Sequence, residues 1–77
     1  MTNDHKLNAL AYVRAQIDML SEQTDDFERR AFKDRAHGGL FALHAAGLFT
    51  VDELMGIGQE IDGANEKACL LVRAHRR

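Results

Sequence analysis

The chain has 77 residues, 45% of them hydrophobic, with six glycines, no proline and one cysteine, which allows one domain over 1–77 and excludes an internal disulfide. A chain this short buries only about 60% of what its unfolded form exposes, so a single small core must hold it. Ten Lys and Arg against twelve Asp and Glu give a net charge of −2, which excludes a global field for nucleic acid or an anionic membrane.

The first predicted element is a helix over 3–23. Leu10, Val13, Ile17 and Leu20 recur at intervals of three, four and three, with Leu7 reinforcing one edge. Thr2 or Asn3 can cap it, and Asp4 suits the positive end of the dipole. The start Met1-Thr2-Asn3-Asp4-His5 lacks the basic segment and apolar run of a signal peptide. No stretch approaches the roughly 18 apolar residues of a membrane span, so a soluble, cytoplasmic chain is expected. Thr24, Asp25, Asp26 and Glu28 then read as a new helix start. Neither Gly nor Pro stops the first helix, and Thr24, Phe27 and Ala31 continue its heptad, so one helix of about forty residues is an open alternative.

A second helix is predicted over 25–46, with Phe32, Ala36, Gly39, Leu43 and Ala46 on its seam. Gly47 suits the left-handed position after a helix, and Leu48 the hydrophobic contact that accompanies it. Thr50-Val51-Asp52-Glu53 then forms a capping box, with Phe49 and Leu54 as its hydrophobic staple. In these capping and staple positions Leu40–Leu54 resembles the corner of the short bacterial C-terminal two-helix domains called SHOCT; the likeness implies a helix-corner-helix and no activity. The third helix is predicted over 51–73. Its seam of Leu54, Ile57, Ile61, Ala64, Ala68, Leu71 and His75 alternates intervals of three and four, with Asp52 and Glu53 at the start and Arg73, Arg76 and Arg77 at the end complementing the dipole. The fold class is therefore all-α, a small three-helix bundle.

Two features exceed what a three-helix monomer needs. Gly38, Gly39, Gly56, Gly58 and Gly63 fall inside predicted helices, at about 1 kcal/mol each relative to alanine. Either the helices bend or start loosely there, or another backbone comes close. Gly56, Gly63 and Leu70 share an outer stripe at seven-residue spacing, and Gly39 faces the seam. The second feature is an apolar stripe on the second helix, His37, Phe41, His44, Ala45 and Leu48, roughly opposite Gly39 and Leu43. These features predict a partner-binding face of His37, Phe41, His44 and Leu48, a second candidate face of Gly56, Gly63 and Leu70, and a bundle completed by a second copy.

Chemistry is not predicted. His37 and His44 are seven apart, too far to share one ion unless a second chain adds ligands, so no metal and no cofactor are expected. Cys69 follows Ala68 and reads as a half-buried apolar residue. Ser21 is the only serine, no Gly-rich phosphate loop is present, and the acid pairs Asp25/Asp26 and Asp52/Glu53 are explained by helix starts, so no catalytic residue is expected. The chain is read as a non-catalytic protein-protein interaction module, a small regulatory, adaptor or inhibitor protein that binds a larger protein. The alternative is a small DNA- or RNA-binding regulator with a helix-turn-helix-like corner at 40–54 and a basic cluster of Arg29, Arg30, Lys33 and Arg35. Against it, the first turn of the would-be recognition helix carries Asp52 and Glu53, and Glu28 and Asp34 interrupt the basic cluster.

Overall fold

The computed structural model describes residues 2–76 as α1 (Thr2–Ser21), α2 (Asp26–Ala45) and α3 (Val51–His75), with no strand among them. Each helix packs on the other two. The chain runs up, down and up, so α1 and α3 are parallel, tied by Lys6 to Glu53 at 2.7 Å and Arg14 to Glu60 at 3.1 Å. The side chains of Thr2 and Asn3, expected to cap α1, and Arg77 lie outside the described residues.

The single long helix is ruled out by a break at 22–25. The last carbonyls of α1 are taken by side chains: Ser21 Oγ donates to Asp18 O at 2.8 Å and Gln23 Nε2 to Met19 O at 2.8 Å. Asp25 then adopts extended backbone and its carboxylate accepts from the Glu28 N–H at 3.0 Å, which makes it the N-cap of α2. Local polar competition ends the first helix where neither Gly nor Pro does.

The corner between α2 and α3 is built as the sequence predicts. Gly47 has φ +85°, and the N–H groups of Gly47 and Leu48 donate to His44 O and Leu43 O at 2.9 and 3.0 Å, the paired bonds of a Schellman ending. Three residues on, Glu53 N–H donates to Thr50 Oγ1 at 3.1 Å while Thr50 N–H donates to Glu53 Oε1 at 2.8 Å. Phe49 is buried, and Leu48 and Leu54 pack against the core beside it.

The core runs along the axis through Val13, Leu20, Leu40 and Ile61, with Ala9, Ala36, Ala64 and Ala68 between them. Its seam departs from strict heptads. Ala9 is buried beside Val13 while Leu10 is partly exposed, Leu40 replaces Gly39 as the inward residue of α2, and Val72 is buried in α3 where Leu71 and His75 were expected. A straight helix of 3.6 residues per turn drifts about 20° per heptad, which turns the seam part of the way toward these neighbours and leaves the strict heptad positions half-buried rather than central. Alanines keep the bundle narrow, with extents of 49 × 18 × 14 Å and a radius of gyration of 13.3 Å, against about 11.5 Å for a compact chain of this length. Among the described residues, no helix is long and apolar enough to cross a membrane.

Candidate functional site

Within the stripe His37, Phe41, His44 and Leu48, Phe41 is exposed and the other three are half-buried. Phe41 is 62% exposed, whereas Leu48 packs on the core. His37 leans toward α3, with Nε2 3.4 Å from Asp62 Oδ1. His44 turns back on the corner, its Nδ1 2.8 Å from Phe49 O; a carbonyl only accepts, so that nitrogen carries the proton. Both imidazoles therefore brace α2 against neighbouring elements. Among the described residues, no group of three His, Cys, Asp or Glu is placed to hold a metal ion, and Cys69 is half-buried.

Phe41 has a companion that the sequence reading did not connect to it. Phe27 is 78% exposed, and Phe27, Asp34 and Phe41 recur every seven residues on the outward side of α2. The two rings are about 21 Å apart along the helix, with Gly38 and Ala45 exposed between and beyond them. The heptad of Phe27, Asp34 and Phe41 is visible in the sequence, but Phe27 lies outside the seam of the predicted second helix and also continues the heptad of the first.

On α3 the outer stripe is open. Gly56 and Gly63 are exposed, a Cβ at either would meet nothing within 4 Å, and Met55 and Leu70 are each 62% exposed beside them. Gly39 differs, because its Cβ would lie 3.2 Å from Tyr12 Cε2. That glycine admits the α1 tyrosine side chain, where the seam position predicted the close approach of another backbone.

Between α1 and α3 lies a shallow cleft of about 230 Å³ with Leu10, Phe49, Gly56 and Ile57 in its lining. Lys6 with Glu53 and Arg14 with Glu60 flank it. Its volume is below the roughly 300–1,000 Å³ of small-molecule sites, and both charged pairs are already neutralised within the chain. The Lys6 hydrogen bond and then the Thr50 N–H hold the Glu53 carboxyl below its ordinary pKa of 4.5. At the opposite end, hydrogen bonding and charge from Arg29, with Arg30 behind it, lower Asp26 from 3.8.

The sign of the resulting pH dependence is fixed. A carboxylate whose pKa is lower folded than unfolded adds stability that is complete above the unfolded value and is lost as pH falls through the folded one. The melting temperature is therefore expected to drop as pH falls below 4.5 through the lowered Glu53 and Asp26 values. Glu53→Gln should melt lower than the parent at pH 7 and lose less on acidification. Thermal melts at pH 7 and pH 3 check this, and an equal acid loss in both proteins would show that Glu53 does not carry it.

Comparison with family models, curated proteins and solved structures finds no match to this chain. Its function is therefore argued from its own surfaces.

Proposed function

We propose that this chain is a non-catalytic protein-protein interaction module, a small regulatory, adaptor or inhibitor protein that acts by occupying a surface of a larger protein. The observation that carries this reading is the outward pair Phe27 and Phe41, at 78% and 62% exposure. Two of four phenylalanines stand in water in a chain that can spare little apolar area for its core. Aromatic residues on one helix face are the anchors a partner takes into a groove. The spacing asks for a groove with two apolar pockets about 21 Å apart and a polar group between them to meet Asp34.

The acidic start of α3 supports this reading over the nucleic-acid alternative. Asp52 is exposed and Glu53 stays ionised within its cap, where a recognition helix would meet phosphates. Arg29 and Arg30 are engaged by Asp26. Association with a second copy is part of the proposal. The surface of 5156 Å² exceeds the roughly 4,700 Å² of a compact monomer of this mass, and a copy packed on the bundle would cover the surplus.

The test is a tagged chain recovered from its native host, alone and as Phe27→Glu/Phe41→Glu. The wild type should retain one stoichiometric protein that the double variant loses, with unchanged helix content by circular dichroism. Loss of helix content in the variant would place these rings in the core and sink the proposal. Equal retention would move the contact off α2, and binding of duplex DNA that steepens as salt falls would favour the alternative.

A further inference from the structure

We infer that the outer face of α3 packs antiparallel on the same face of a second copy of this chain, about a two-fold axis at Gly63. The face runs through Asp52, Met55, Gly56, Gln59, Gly63 and Leu70, all exposed, and borders the α1–α3 cleft at Gly56.

The pattern of this face is self-complementary when one copy is reversed. Gly56 and Leu70 each lie seven residues from Gly63, about 10.5 Å on either side. Reversal about Gly63 sets each Leu70 over the bare backbone at Gly56 of the second copy, beside Met55. Gly63 meets Gly63 at the axis, where the backbones come closest. The chain's own fold makes no use of either missing side chain, since a Cβ at 56 or 63 would meet nothing within 4 Å.

Charge complements a second copy in this antiparallel setting. Glu60 and Lys67 occupy one flank of the stripe and Arg73 the other, with Asp52 on the stripe in line with Leu70, and all four are exposed. A two-fold axis across antiparallel helices brings each flank against its own copy. Glu60 then meets Lys67 of the second copy and Asp52 meets Arg73, each within about one residue's rise. The axis repeats both pairs, and Gln59 comes opposite Glu66. Glu60 already holds Arg14 at 3.1 Å, and its second oxygen is available to the incoming lysine. The face is about 27 Å long and about 10 Å wide, small against the roughly 800 Å² per partner of a standard interface, so association should be weak.

This inference names the surface for the self-association proposed above. Its test is sedimentation equilibrium from about 10 μM to about 1 mM, a range that spans a weak dimer. The wild type should pass from 8.6 kDa to twice that mass. Lys67→Glu should raise the dissociation constant at least about tenfold, and Lys67→Glu/Glu60→Lys should restore it. Gly63→Gln should raise the melting temperature of the dilute monomer yet abolish the dimer. A dimer unaffected by Lys67→Glu and Gly63→Gln overturns this face and keeps the association. A chain that is monomeric throughout overturns both.

Discussion

Ile61→Ala is expected to remove most of the stability of this chain. Ile61 is fully buried at the middle of α3, and truncating a buried isoleucine to alanine costs about 2–5 kcal/mol, more where the surroundings cannot close in. Here they cannot. Ala64, Ala68 and Ala36 belong to the same core and have no side-chain length with which to refill the space. A domain of this size stands near the lower end of the roughly 5–15 kcal/mol range, so the loss takes about half of it or more. Urea titration followed by circular dichroism should show a midpoint near zero denaturant for Ile61→Ala. Ile61→Val should lose about 0.5–1.5 kcal/mol, and Leu70→Ala, on the exposed face, should stay within about 0.5 kcal/mol. A full cooperative transition in Ile61→Ala close to that of the wild type would mean that the core lies elsewhere.

That core was legible in the sequence as a direction but not to the residue. Intervals of three and four identified Val13, Leu20, Ile57, Ile61, Ala64 and Ala68, because those positions face inward whether the period is 3.5 or 3.6. Leu40 and Val72 escape it because strict three-four spacing points to their neighbours Gly39 and Leu71, which the packed helices leave half-buried. The corner was readable to the atom, since the Schellman ending and capping box are satisfied by residues within a few positions of one another. The break at 22–25 was not: it depends on Asp25, Ser21 and Gln23 offering the backbone alternatives to the helix, and their competition leaves no periodic trace. On the candidate faces the sequence located Phe41 but not its surroundings. Whether His37 and His44 flank an exposed ring or brace the bundle depends on where Asp62 and the Phe49 carbonyl come to lie, and only the packed structure supplies that.

The glycines give the second large effect, and they are expected to separate into three behaviours under one substitution. At Gly38 and Gly58 an added Cβ meets nothing within 4 Å. Alanine there recovers about 1 kcal/mol of helix propensity per site, so Gly38→Ala/Gly58→Ala should raise the melting temperature by roughly 8–16 °C at about 4–8 °C per kcal/mol. At Gly39 the same gain is set against Tyr12 Cε2 at 3.2 Å. Tyr12 is 49% exposed and free to move, so the two effects should nearly cancel. At Gly47 the backbone sits at φ +85°, where an L side chain costs about 1–2 kcal/mol, so Gly47→Ala should lower the melting temperature. Thermal melts of the three variants decide the matter, and a destabilised Gly38→Ala/Gly58→Ala would mean that those glycines answer to something inside the fold. The same reasoning gives Gly56→Ala and Gly63→Ala a stabilised monomer. If the α3 face holds a second copy, those two substitutions alone should raise the melting temperature of the dilute chain while weakening its association, and that opposition of signs separates an interface glycine from one that is merely tolerated.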